Sequence, residues 1–245
     1  MTRVAAIVPA RDEAATVAMT VAAALAVPLV TCVVVVDDGS ADDTASRARE
    51  AGARVVTLDA GGGKGAALEA GVAALEADAC VEQGVEPAAG RIPFDAVLFL
   101  DADLGDSASQ AAALLGPILS GMADMTVAVF PPAPEGSGGF GLVKGLARWG
   151  IRRLGSAAFA AEAPLSGQRA LDMAALETVR PIASGYGVEV TLTIRALRAG
   201  LRVVEVPTTM THRHTGRDAA GFTHRGRQFL DVASSLVGLA FERKA

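Results

Sequence analysis

In the first hundred positions apolar residues fall in short continuous runs, and each run stops at a polar or glycine-rich cluster. Val4–Val8 is β-branched and ends at Pro9; Cys32–Val36 runs into Asp37-Asp38-Gly39-Ser40. Arg54–Leu58 precedes Gly61-Gly62-Gly63-Lys64-Gly65, and Ala96–Leu100 ends in Asp101-Ala102-Asp103. Apolar runs that do not alternate predict strands covered on both faces. Between them, Glu13–Ala26, Asp42–Ala51 and Ala66 to about Ala77 predict helices, with Pro28 and Gly52 as stops. This alternation predicts a parallel sheet with right-handed crossovers, whose ligands bind at the carboxyl ends of the strands. Every polar cluster just named falls at such an end.

The second half is less regular. Ala123–Val129 and Leu201–Val206 predict strands, and Leu142–Leu154, Tyr186–Arg198 and Phe222 to the end predict helices. Pro131–Phe140, rich in Pro and Gly, predicts a mobile loop, and Thr211–Gly221 is polar and basic. No internal repeat or linker interrupts the pattern. The expectation is one α/β domain over residues 1–245, Rossmann-like, with a mostly parallel central sheet flanked by helices.

Composition changes this picture in a few respects. With 51% hydrophobic and 4% aromatic residues, the core must be built from Ala, Val and Leu. A formal charge of −5 argues against a nucleic-acid partner, while leaving room for a local basic site. Cys32 and Cys80 lie far apart in apolar surroundings without metal-type spacing, and read as reduced, buried thiols of a cytosolic protein. Arg11, Asp12 and Glu13 interrupt the first apolar run too early for a signal peptide. Val17–Val30 contains Thr20 and Pro28 and is too short to span a bilayer, so the expected location is cytoplasmic. The oligomeric state is left open, a homodimer included. Leu142–Leu154 carries Lys144, Arg148, Arg152 and Arg153, and the C-terminal helix carries Phe229, Leu230, Val232, Leu236, Val237 and Phe241. Those apolar positions are expected to pack on the domain, in preference to contact with a membrane surface.

The strand-end clusters carry the candidate chemistry. Asp101 and Asp103, one residue apart after a buried strand, offer hard oxygen ligands for Mg²⁺ or Mn²⁺, or else form a solvated turn. Asp37 and Asp38 could accept hydrogen bonds from a base or ribose, and Asp42 or Asp43 could cap the next helix. The glycine turn fails the phosphate-loop pattern, because Leu58 holds the first glycine position and Gly65 follows Lys64 in place of Ser or Thr. Its amides and Lys64 could still meet a phosphate. His212, Arg213, His214 and Arg217 cluster after the last apolar strand, where an imidazole could complete a metal site and arginines could hold phosphate.

Together these elements resemble the family 2 nucleotide-sugar glycosyltransferases of GT-A fold. The matching segments are Pro9-Ala10-Arg11-Asp12-Glu13, Val36 to Thr44, Gly63-Lys64-Gly65 and Asp101-Ala102-Asp103, in that order. In the second half, Pro164-Leu165-Ser166-Gly167-Gln168-Arg169-Ala170, Gly185-Tyr186-Gly187-Val188-Glu189 and His212-Arg213 look like the glucosyl-3-phosphoglycerate synthase branch, as does Ala51–Val56. The chain departs from that branch in having Asp-Asp-Gly-Ser where Asp-Ser-Gly-Ser is usual. Polyprenyl-phosphate sugar transferases, similar to dolichol-phosphate-mannose synthase and acting at a membrane surface, share the first-half motifs and are the alternative.

The resemblance implies a nucleotide-binding half over 1–104 and an acceptor-binding half over 105–245. Pro9, Ala10, Arg11, Glu13 and Asp38 would surround base and ribose, Lys64 would approach the base or diphosphate, and Asp101 with Ala102 would meet ribose or metal-bound water. Asp103 would bind the metal and act in catalysis, with His212 as second ligand and His214 in reserve. Gly167, Arg169 and the Gly185-Tyr186-Gly187 turn would line the sugar and acceptor pocket, with Arg213 and Arg217 drawing an anionic acceptor. Glu189 would hold sugar hydroxyls or orient the acceptor. The implied donor is a nucleotide-diphosphate sugar such as UDP-glucose, and the implied acceptor a small acid such as 3-phosphoglycerate. A sugar nucleotidyltransferase would need a glycine-rich signature after the first strand, which Pro9–Glu13 does not supply. A non-catalytic nucleotide-sugar sensor would not need the full set of carboxylates.

Overall fold

The computed structural model describes residues 2–59, 61–77, 94–131, 141–183, 187–212 and 219–242, without the side chains of 219–229. β1 (Val4–Ala10), β2 (Val30–Asp37), β3 (Arg54–Thr57) and β4 (Ala96–Phe99) are the four predicted strands of the first half. β1 lies between β2 and β4 and β2 between β1 and β3, all parallel. α1 (Val17–Leu25), α2 (Thr44–Glu50) and α3 (Gly63–Glu76) make the crossovers. Successive strand residues point to opposite faces. Val4, Ala6, Val8, Val33, Val35 and Leu98 therefore pack with Val17 and Val21 of α1. Ala5, Ile7, Val34, Val36, Val97 and Phe99 face the other way, onto Leu68, Val72 and Leu75 of α3.

Two predicted helix starts shift for local reasons. α1 begins at Val17 instead of Glu13, because 11–16 form turns in which Asp12 takes a left-handed φ of 55°. α3 begins at Gly63 instead of Ala66, because the Asp38 carboxylate accepts from the amides of Gly62 and Gly63 at 2.7 and 3.0 Å. That bond satisfies donors that a helix start leaves without partners.

The second half adds α4 (Ala112–Leu119), β5 (Met125–Val129), α5 (Leu142–Gly150), β6 (Arg169–Asp172), α6 (Met173–Val179), α7 (Val188–Arg198), β7 (Val203–Pro207) and α8 (Ala219–Phe241). A 3-10 turn, Gly105–Ala111, leads into α4, and a π-helical turn, Ile151–Gly155, replaces the end of the helix predicted over Leu142–Leu154. The strand order is β3-β2-β1-β4-β6-β5-β7, and β6 alone runs antiparallel to both its neighbours. α4, β6 and α6 have no counterpart in the sequence reading. β6 has four residues and begins and ends on charge, while α4 contains Gly116 and Pro117, which read as breakers. α6 starts where Asp172 accepts from the Ala175 amide at 2.7 Å.

A third apolar cluster lies between α5, α7 and α8, built from Ala147, Ile151, Val190, Ile194, Val232 and Leu236. Packing of the C-terminal helix on the domain thus holds for Val232 and Leu236, whereas Leu230, Val237 and Phe241 are exposed; the Phe229 side chain lies outside the description. The loop expected over Pro131–Phe140 falls, beyond Pro131, outside the described residues. The reduced-thiol expectation is corrected at Cys32, which is buried and disulfide-bonded. Separation along the chain says nothing of proximity in space, and Cys80 lies outside the described residues. Among the described residues no helix is long and apolar enough to cross a membrane.

Candidate active site

The antiparallel strand builds the site. Phe99 of β4 pairs with Arg169 of β6, so the residues leaving β4 run beside those entering β6. Asp101 thereby meets Gly167 and Gln168. The Gln168 side-chain amide donates to Asp101 Oδ2 at 2.6 Å, and Lys64 Nζ donates to Asp101 Oδ1 at 2.6 Å. Lys64, from the first turn of α3, also reaches Glu189 Oε1 at 2.9 Å, in the first turn of α7. A Cβ on Gly167 would lie 2.2 Å from Lys64 Nζ and 3.0 and 3.1 Å from the Asp101 oxygens. Only glycine leaves room for the ion pair there.

Asp103 and His212 form the other side. His212 Nδ1 lies 2.9 Å from Asp103 Oδ1, and its ring stacks on Phe130, 4.6 Å between centroids and 9° from parallel. Ligand atoms of Asp101, Asp103 and His212 lie within 4.8 Å of one another, a spacing that could hold one cation. Burial alone disfavours the Lys64 charge, but Asp101 and then Glu189 outweigh it and hold the ammonium above the ordinary lysine range. Burial pushes the Asp101 carboxyl up, and Lys64, His212 and Gln168 bring it below the usual value. For His212 burial works downward and the bond to Asp103 prevails, so its pKa is raised.

A neighbouring group of strand-end residues lies between β1 and β2. The Asp38 amide donates to the Ala10 carbonyl at 2.9 Å. The Glu13 amide donates to Thr44 Oγ1 at 2.8 Å, and Thr16 Oγ1 donates to the Glu13 carboxylate at 2.9 Å. Pro9 is half-buried, Arg11 is exposed beside Gly61, and Ala102 is buried with its carbonyl accepting from Thr20. Asp38 is buried, and both its oxygens serve the start of α3.

Arg169 stands behind the site, only 1% exposed. It donates to the Ser166 carbonyl and to Thr193 Oγ1, while Nη2 has no partner among the described residues. Burial lowers its pKa to about 10, against the opposing pull of Glu189 and Glu205. Gly187 lies against α8, where a Cβ would come 1.9 Å from Ser235 Oγ. Gly185, Tyr186, Arg213, His214 and Arg217 lie outside the described residues. Gln168, fully buried, and Phe130 have no role in the sequence reading. Gln168 stands next to Gly167 in a segment already singled out; nothing local marks Phe130.

The profile of glycosyl transferase family 2 matches residues 5–177. Glucosyl-3-phosphoglycerate synthase of Mycolicibacterium paratuberculosis (strain ATCC BAA-968 / K-10) is 30% identical over 254 aligned residues, covering 95% of this chain and 72% of the relative. The Mycobacterium tuberculosis glucosyl-3-phosphoglycerate synthase in complex with Mg²⁺ and UDP superimposes with a TM-score of 0.72 at 27% identity, over 97% of this chain and 79% of that one. Its complex with Mn²⁺, UDP-glucose and phosphoglyceric acid gives 0.72 at 27% identity, over 97% and 79%. The likeness spans both halves of the sheet, and the fold is of the GT-A type.

Proposed function

Because this chain belongs to glycosyl transferase family 2, we infer that it transfers glucose from UDP-glucose to a small anionic acceptor such as 3-phosphoglycerate, with Mg²⁺ or Mn²⁺. The observation that carries the reading is the convergence of Asp101, Asp103 and His212 within 4.8 Å. Carboxylate oxygens with one imidazole suit Mn²⁺ and accept Mg²⁺. When bound, the cation offsets charge developing on the diphosphate leaving group.

In this reading the residues of the chain have distinct tasks. Pro9, Ala10, Arg11, Glu13 and Asp38 bracket the nucleoside, with Asp38 also fixing the glycine turn. Lys64, kept protonated by its two carboxylate partners, presents positive charge towards the donor phosphates. Gln168 and Lys64 hold the two oxygens of Asp101, so that Asp101 keeps one orientation. Glu189 accepts hydrogen bonds from sugar hydroxyls as the anomeric carbon gains positive character. Arg169 supports the floor behind Glu189, and Arg213 and Arg217 draw the acceptor's charge. Residues 1–104 act as the nucleotide half and 105–245 as the acceptor half.

The test is transfer from UDP-glucose, with and without Mn²⁺, to 3-phosphoglycerate, a polyprenyl phosphate and a neutral sugar. Asp103→Ala should lower turnover roughly 100- to 1000-fold, with an unchanged melting temperature. His212→Ala should weaken Mn²⁺-dependent donor binding. Full activity of Asp103→Ala, or of the parent in chelator, would remove the metal role. Exclusive use of the neutral sugar would remove the anionic acceptor.

A further inference from the structure

The exposed face of α5 combines apolar and cationic side chains in a way the transfer reaction does not use. Between Leu142 and Ala161 the chain has four cations and no carboxylate, although its formal charge is −5. Val143, Leu146, Ala147 and Ile151 turn towards the cluster shared with α7 and α8. Leu142 and Trp149, two turns apart and so on one side of the helix, point outwards, 69% and 59% exposed. Lys144, Arg148, Arg152 and Arg153 flank them and are also exposed. Arg148 is tied to the carbonyls of Ala161 and Glu162. Among the described residues no carboxylate pairs with Lys144, Arg152 or Arg153. A groove of about 490 Å³ runs between Gly145, Arg148, Trp149, Arg152, Arg153 and Ala157.

We propose that this α5 face docks the protein on an anionic membrane surface, with Trp149 and Leu142 entering the headgroup layer and Lys144, Arg152 and Arg153 meeting lipid phosphates. An indole flanked by cations suits that layer, whose depth is apolar on one side and wet on the other. Charge decides the occupant. A second copy placed on this face about a two-fold axis would bring the same uncompensated cations together, whereas an anionic bilayer offers the opposite sign over an extended plane. The face is distinct from the carboxylate cluster, so docking does not depend on which acceptor the enzyme uses.

Trp149 is the chain's one tryptophan, so emission excited selectively from tryptophan, and not from Tyr186, reports on this face alone. The experiment adds vesicles of phosphatidylcholine, with or without phosphatidylglycerol, to the whole protein without substrates. Emission should shift to the blue and protein should co-sediment only with the anionic vesicles, and added salt should reverse both. R152E/R153E should weaken partitioning at least about 25-fold, from roughly fivefold for each cation lost, while transfer to a soluble acceptor stays unchanged. W149A should also bind less. No shift with anionic vesicles, equal binding to neutral ones, or undiminished binding of R152E/R153E would overturn the proposal. So would a blue shift that grows with protein concentration without lipid and accompanies a dimer mass. None of these outcomes bears on whether the protein transfers glucose.

Discussion

At the scale of single residues, the site depends on close approach as much as on charge. Gly167 lets Lys64 reach Asp101 and Glu189 at once. In Gly167→Ala, Lys64 Nζ must retreat from a methyl group placed 2.2 Å away, and Asp101 loses one of its two anchors. Turnover with saturating Mn²⁺ should then fall roughly 10- to 100-fold, as expected for displaced reacting groups. A rate equal to that of the parent, measured with a folded variant, would show that the pair tolerates displacement. Asp101, Asp103 and Lys64 were legible in the sequence because each follows an apolar run or a glycine turn, whereas Glu189 entered only through the family resemblance. Gln168 and Phe130 were not legible, since their roles come from the β4–β6 register and from stacking on His212, both set by tertiary structure. Arg169 shows the opposite failure. An arginine beside the pocket motif suggests an acceptor contact, but its strand turns the side chain inward onto Thr193.

At the scale of elements, the parallel strands were read with small errors because their apolar runs are continuous. The short antiparallel strand and the helices beside it were missed because four residues ending in charge leave no periodic signal. Where elements meet, small residues set the distance. A Cβ on Gly150 of α5 would come 2.3 Å from Leu236 Cδ2 of α8. Gly150→Val should cost about 1–3 kcal/mol of stability through overpacking. The loss should shrink in a Leu236→Ala background, because the two changes share one space; additive losses in denaturant melts would contradict this contact. The start of β5 and the start of β7 are joined by Asp124, whose carboxylate accepts from the Arg202 amide at 2.6 Å and from its guanidinium. The hydrogen bond from Arg202 holds the Asp124 pKa below the ordinary carboxylate range. A depressed folded pKa contributes stability above the unfolded value, near 3.9, and that stability is lost as pH falls through the folded value. Asp124→Asn should therefore melt below the parent at neutral pH and converge with it in acid. A gap in melting temperature independent of pH would refute the linkage.

At the scale of the whole molecule, the candidate site sits on a seam. Residues 1–104 supply Lys64, Asp101 and Asp103, and the rest supplies Gln168, Glu189 and His212, with one reversed strand bringing the two sets together. The alternation of strands and helices made the first half and the site's edge of the sheet readable, but the seam joins residues from 67 positions apart (Asp101 and Gln168) to 125 positions apart (Lys64 and Glu189), which no local pattern reports. The reversal also bears on how the polypeptide is made. A ribosome that has released residues up to the end of β5 has produced a sheet whose β4 edge is unpaired, because the strand that covers it is still to come. Open edges invite pairing with other chains, so the interval between synthesis of residue 99 and residue 172 is a period of exposure for the nascent protein. The same four residues that close that edge deliver Gln168 to Asp101, so protection of the newborn chain and completion of the candidate site arrive in one event.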